Sequence, residues 1–238
     1  MTGPEGPAGG SRGDRHLGRF TALLVAMVVL LLLPPLLPGV FWGRQVVTLF
    51  FTVVAFGAAF DVGRGRAALT LISIMAVTSL AAYGATLLWP GSRAGLVVSL
   101  LVALGLYGMA LAGVAREVFR ADSVSLGTLR GAVCVYLLIG IFWATLYAVV
   151  ETVHPGSFSF PDPAGAGAAV EASRGAVAGF FYYSFVILTT LGYGDIAPRT
   201  ELARTLSWFE ALVGQLFIAL TLARLVAVHV SQSLRDER

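Results

Sequence analysis

The sequence predicts an all-α membrane protein with six transmembrane helices and one short re-entrant helix. Of its 238 residues, 57% are hydrophobic and only 12% are charged, and the mean hydropathy is +0.84. Soluble domains average roughly 45–50% apolar and about 25% charged residues. A soluble fold of this length cannot bury so much apolar surface. The composition also argues against a disordered chain, a disulfide scaffold and a nucleic-acid-binding protein.

Six apolar runs approach or reach the length of a membrane-spanning helix, which needs about 20 mostly apolar residues. They cover residues 20–37, 46–60, 67–88, 94–115, 129–150 and 202–230. A seventh run, residues 176–188, is too short to span and suggests a re-entrant helix. The first run is predicted to be a span rather than a signal peptide, because Pro34 and Pro35 replace a small-residue cleavage site.

These runs divide the chain into five parts. The parts are a disordered cytoplasmic N-terminus (1–19), a four-helix domain (20–115), an interfacial linker, with a plain polar loop as the alternative (116–128), a second helical domain (129–230) and a cytoplasmic tail (231–238). Residues 151–175 are rich in Pro, Gly, Ala and Ser, which predicts an exposed loop. Because only eight residues follow Val230, we expect no soluble regulatory domain in the chain.

The distribution of arginines predicts the orientation in the membrane. With the N-terminus inside, eleven arginines lie beside cytoplasmic span ends and five beside outer ones. Cytoplasmic loops carry the excess of basic residues in membrane proteins. We therefore expect a multi-pass protein of the cell membrane, surrounded by lipids, with both termini cytoplasmic and residues 151–175 outside.

The residues most informative about function directly follow the short apolar run: Thr189, Thr190, Leu191, Gly192, Tyr193, Gly194 and Asp195. A dehydrated cation needs several oxygens to replace its water shell, and a stretched backbone with carbonyls on one side supplies them. Such a backbone alternates in handedness, and Gly192 and Gly194 allow positive φ without a Cβ penalty. The oxygens expected to form successive rings are the carbonyls of Thr190, Leu191, Gly192 and Tyr193, with the Thr190 hydroxyl.

This pattern resembles the potassium-channel pore, whose hallmark is a Thr-Val-Gly-Tyr-Gly strand. The resemblance covers residues 129–230 as an outer helix, a pore helix (176–190), a selectivity filter (190–195) and an inner helix (202–230). It departs from the family where Leu191 replaces the usual Val. The resemblance implies K⁺ binding at Thr190, Leu191, Gly192 and Tyr193, with Gly194 completing the filter.

The resemblance also implies a homotetramer, since one filter strand per chain cannot surround an ion. It implies passive, potassium-selective conduction, with no cofactor beyond K⁺ as the permeant ion. The open alternatives are a weakly selective cation channel, a possibility opened by Leu191, and a non-conducting membrane subunit. An enzyme is not expected, because we find no nucleophile–base set, phosphate loop or paired carboxylates.

The same resemblance implies that residues around the filter support it. Thr189, Tyr182, Tyr183 and Asp195 are expected to support the filter. The hydroxyls of Tyr182 and Tyr183 either hydrogen-bond around Tyr193 or belong to ordinary aromatic packing. Tyr193 and Leu191 are expected to point away from the ion path.

The last run contains a candidate hinge and several polar residues. Gly214 lies where the resemblance places the inner-helix hinge, although close helix packing is an alternative. Ile218 and Leu222 would then face the water-filled cavity. Glu210 and Gln215 are polar residues within an apolar helix, and Glu210 is expected to hydrogen-bond behind the pore helix. For Arg224, snorkelling to the inner membrane face competes with a contact to a gate or to lipid.

The fourth run bears on voltage sensing. A voltage sensor carries arginines through its fourth span, because gating charge must move through the field. Residues 94–115 contain no charged side chain. We therefore predict a sensor-shaped domain without gating charges and weak or absent voltage dependence.

Overall fold

The computed structural model describes residues 93–120, 126–161 and 169–236, most of 20–32, and residues 77 and 84. Its elements are α1 (Arg93–Arg120), α2 (Leu126–Val153), β1 (Phe158–Ser159), α3 (Ala169–Leu188), β2 (Ala197–Pro198) and α4 (Glu201–Asp236). Within this part of the chain, α1, α2 and residues Glu201–Ala227 of α4 are long and apolar enough to cross a membrane. The prediction of a helical, membrane-capable fold is therefore confirmed. The predicted spans 46–60 and 67–88 and the N-terminus 1–19 lie outside the described residues.

The helices extend beyond the predicted apolar runs. Because α1 continues to Arg120 and α2 begins at Leu126, the predicted linker 116–128 is helical at both ends. Helix α3 begins at Ala169, within the predicted loop, and ends at Leu188 rather than at 190. Helix α4 runs to Asp236, so most of the predicted tail is helical. Hydropathy locates only the apolar segments. The helices continue beyond these segments because the flanking residues include Ala, Arg and Glu, which are good helix formers.

Helices α1 and α2 pack against each other as an antiparallel pair. A Cβ on Gly108 would lie 3.4 Å from the Phe142 ring, and one on Gly131 would lie 2.6 Å from Val118 Cγ2. The two contacts run in opposite sequence order along the helices, which defines the antiparallel direction. Small residues at both points allow the close approach that helix packing in membranes requires.

The described residues of 20–32 are helical and lie against the start of α2. The Arg130 guanidinium donates a 2.7 Å hydrogen bond to the Thr21 hydroxyl, and the Cys134 thiol faces the Phe20 carbonyl oxygen at 3.8 Å. Phe20 and Met27 are buried in the same core as α1 and α2. The first predicted span is thus helical in its described part and packs on the α1–α2 pair.

Candidate functional site

The end of α3 leads directly into the TTLGYGD segment (residues 189–195). The Leu191 amide donates to the Val186 carbonyl, and the Thr190 amide donates to the Ile187 carbonyl, both at 2.9 Å. These two bonds form a Schellman motif, in which the residue after the helix adopts a left-handed conformation. That residue is Thr190, with φ of 59°. A position usually occupied by Gly is therefore occupied by Thr, which is uncommon and points to a local requirement.

Positive φ recurs at every second residue of the TTLGYGD segment. Gly192 has φ of 57° and Gly194 has φ of 78°, following Thr190 at 59°. The left-handed conformation predicted for the two glycines is present, and Thr190 adds a third that was not predicted. Alternating handedness turns successive carbonyls toward one side of a stretched backbone. The segment thus has the backbone conformation needed for a row of oxygens.

The large side chains of the TTLGYGD segment are exposed in the part of the chain that the structure describes. Leu191 is 57% exposed and Tyr193 is 67% exposed. The Tyr182 hydroxyl lies beside the Asp195 carboxylate, whereas the Tyr183 hydroxyl lies 2.7 Å from Ser207 Oγ on α4. Hydrogen bonding of these hydroxyls around Tyr193 was one of two alternatives, and within the described residues each hydroxyl has another neighbour. That Tyr193 points away from an ion path remains a prediction.

Helix α2 holds the C-terminal half of α3. The Tyr136 hydroxyl donates to the Leu188 carbonyl at 3.1 Å, and the Ser184 hydroxyl lies 2.8 Å from the Gly140 carbonyl. A Cβ on Gly140 would lie 2.8 Å from the Phe185 ring, so Gly at this position allows the two helices to meet. These contacts fix the end of α3 and therefore the start of the TTLGYGD segment.

A two-stranded sheet holds the other end of the segment. Strand β1 pairs antiparallel with β2, matching Phe158 with Pro198. The Arg199 amide adds a 2.7 Å hydrogen bond to the Ser157 carbonyl. Beneath the sheet, Phe158 packs edge-on against Phe180 at 4.9 Å between ring centroids. The loop after α2, predicted to be exposed, is thus partly ordered by this pairing.

Helix α4 contacts the end of α3 at Gly214. A Cβ there would lie 2.8 Å from Leu188 Cδ1 and 3.0 Å from the Leu188 carbonyl oxygen. This contact supports the packing role that the sequence left as an alternative to a hinge. Ile218 and Leu222, the predicted cavity residues, are exposed on α4, as is Gln215.

Farther along α4, Arg224 contacts the last turn of α1. Its guanidinium donates a 2.6 Å hydrogen bond to the Val118 carbonyl and lies 5.6 Å from the centre of the Phe119 ring. Carbonyls in the last turn of a helix lack partners within the helix, and a cation is favourable beside them. Arg224 therefore joins α4 to α1 rather than simply extending toward the membrane surface.

Glu210 of α4 is completely buried between the other helices. Its carboxyl group contacts the Tyr147 hydroxyl of α2 and the Ser184 hydroxyl of α3, each at 2.5 Å. The expected hydrogen bond behind α3 is present. Tyr147 and Ser184 were not singled out from the sequence, although hydroxyl groups within apolar helices are the available signal.

Residues 164–230 match a family model described as ion channel. The matched range contains the described α3, the TTLGYGD segment and most of α4. Comparison with curated proteins gave no match, and comparison with solved structures gave none either. The match, together with the apolar helices, supports an ion channel of the membrane.

Proposed function

We propose that this chain forms a homotetrameric, potassium-selective channel that conducts K⁺ passively across the cell membrane. In this proposal α2 is the outer helix, α3 the pore helix, residues 190–195 the filter and α4 the inner helix. Four chains place four filter strands around one axis, with lipids outside and both termini in the cytoplasm. Weak voltage dependence belongs to the same proposal.

The observation that supports this function best is the alternation of positive φ at Thr190, Gly192 and Gly194. Alternation directs the carbonyls of Thr190 through Tyr193 to one side, where they can replace the water around K⁺. The C-terminal end of α3 adds roughly half a negative charge beside the entry to this row. Both effects favour a cation over an anion.

The exposed side chains of the TTLGYGD segment support assembly. Leu191 and Tyr193 are exposed among the described residues, and neighbouring chains would cover them in a tetramer. Mass measurement of the detergent-solubilised protein tests this part. The expected particle contains four chains of 25.0 kDa, and a stable monomer would contradict it.

Flux into liposomes from the purified protein tests conduction and selectivity together. With opposed K⁺ and Na⁺ gradients, we expect the reversal potential to follow K⁺. A reversal potential near zero with robust flux would identify a weakly selective cation channel. Absence of flux from the folded tetramer would favour a non-conducting subunit.

Two glycine variants show whether the TTLGYGD segment is the filter. Gly194→Ala places a Cβ in open space at φ of 78°, so its effect is conformational rather than steric. Gly156→Ala has the same character, at φ of 86° and with open space, but lies in the turn after α2. We expect Gly194→Ala to abolish K⁺ selectivity and Gly156→Ala to retain it. Equal effects would contradict the filter assignment.

A further inference from the structure

Glu210 has no compensating charge within the described part of the chain. Its side chain is 0% exposed and its hydrogen-bonding partners are two hydroxyl groups. Among the described residues, the titratable groups that interact electrostatically with it are phenols: Tyr136 and Tyr147 from α2, and Tyr183 from α3. A buried carboxylate without a cation is much less stable than a neutral carboxylic acid.

The number of protons in the hydrogen bonds around Ser184 also bears on the state of Glu210. Ser184 Oγ lies 2.8 Å from the Gly140 carbonyl oxygen and 2.5 Å from Glu210 Oε1. A serine hydroxyl has one proton, and both a carbonyl and a carboxylate can only accept. With an ionised Glu210, one of these short oxygen–oxygen contacts would contain no proton.

A proton on Glu210 Oε1 satisfies every contact. Glu210 then donates to Ser184 Oγ, and Ser184 donates to the Gly140 carbonyl. The Tyr147 hydroxyl donates its own proton to Glu210 Oε2. Each hydrogen bond has one donor and one acceptor, as buried polar groups require.

We propose that Glu210 is a protonated carboxylic acid in the folded protein and a positioning residue for the TTLGYGD segment. As a neutral side chain it joins α4 to α2 through Tyr147 and to α3 through Ser184. It lies one helical turn before Gly214, where α4 meets the last residue of α3. The effect on conduction rests on the proposed channel function, whereas the protonation state does not.

Infrared spectroscopy of the full-length protein in liposomes tests the protonation state directly. At neutral pH we expect the carbonyl band of a protonated carboxyl group, shifted in deuterated water and absent in Glu210→Gln. The band should also shift in Tyr147→Phe, which removes the hydrogen bond to Oε2. Glu201→Gln, at an exposed position of the same helix, is the matched control and should leave the band unchanged. A wild-type spectrum without this band would overturn the proposal.

Potassium flux tests the positioning role. Glu210→Gln keeps a neutral group that donates through Nε2 to Ser184 and accepts through Oε1 from Tyr147. We expect near wild-type flux and selectivity from this variant, and a loss of at least about tenfold from Glu210→Leu, which removes the hydrogen bonds that join α4 to Tyr147 and to Ser184. Loss of flux in folded, tetrameric Glu210→Gln would overturn the role of a neutral acid. If the wild type carries no flux, the channel function fails while the infrared result still decides the protonation state.

Discussion

The α carbon of Gly214 faces Leu188 so closely that an added Cβ would lie 2.8 Å from Leu188 Cδ1. Gly214→Ala must therefore displace α4 or the last residue of α3. We expect a loss of about 1–3 kcal/mol in stability, the usual cost of overpacking. Thermal unfolding of the purified protein measures this loss, and liposome flux should fall with it. Gly108→Ala, with its nearest contact at 3.4 Å, is the control and should unfold like the wild type.

The conformation of Thr190 can be tested with two substitutions at this position. Thr190→Ala keeps a Cβ at φ of 59°, whereas Thr190→Gly removes the strain of that Cβ. Both variants lack the hydroxyl, so their difference isolates the backbone. We expect Thr190→Gly to be more stable by about 1–2 kcal/mol in reversible unfolding. Equal stability of the two variants would contradict a strained Schellman position.

The packing of α1 on α2 within one chain can be tested with a disulfide. A Cβ on Gly131 would lie 2.6 Å from Val118 Cγ2, which places residues 118 and 131 near enough for a disulfide bond. In a Cys134→Ala background, oxidised Val118→Cys/Gly131→Cys should remain a single chain on a non-reducing gel. Mass spectrometry should find the bond inside that chain. Covalent dimers as the main product would show that α1 packs on a neighbouring subunit.

The contact of Arg224 with α1 predicts local protection of the last turn of α1. Replacing Arg224 with Gln removes the hydrogen bond to the Val118 carbonyl and the contact with Phe119. We expect amide exchange in residues 117–120 to rise by about tenfold, as for loss of a charged hydrogen bond. Arg116→Gln, at an exposed position of α1, is the control. An unchanged exchange rate in Arg224→Gln would show that the contact does not stabilise this turn.

The charge distribution of α1 predicts a nearly flat conductance–voltage relation. Its charged residues lie at the ends, at Arg93, Arg116, Glu117 and Arg120. Each charge moved across the field contributes about 2.3 kcal/mol per 100 mV, and the interior of α1 offers none. Planar-bilayer recordings measure the relation. A steep curve that requires several gating charges would contradict this prediction.

The sequence was sufficient to predict the backbone at Gly192 and Gly194, because Gly is the residue that tolerates positive φ. The positive φ of Thr190 was not predicted, because the conformation of this residue depends on where α3 ends. That end is set by two backbone hydrogen bonds, to Val186 and Ile187, which leave no trace in hydropathy. The backbone conformation at the two glycines was therefore predictable from the sequence, whereas the residue at which α3 ends was not.

The residues that Glu210 and Arg224 contact on other helices could not be predicted from the sequence either. Glu210 was identifiable as an unusual residue within an apolar helix, but Tyr147 and Ser184 lie 63 and 26 residues away in sequence. Arg224 likewise meets Val118 across 106 residues. Such pairings depend on how helices are placed relative to one another, which composition and periodicity do not specify.

The two ends of the TTLGYGD segment are attached to a single continuous piece of chain. Tyr136 and Gly140 of α2 hold the α3 end, and Ser157 with β1, a few residues beyond α2, hold the β2 end. Helix α2 and β1 thus form one continuous support, which sets the distance between the two ends of the segment. Because both anchor points belong to one continuous piece of chain, we expect a tilt of α2 to move the two ends of the segment together. Motion of the surrounding helices would then change the position of the TTLGYGD segment more than the distance between its two ends.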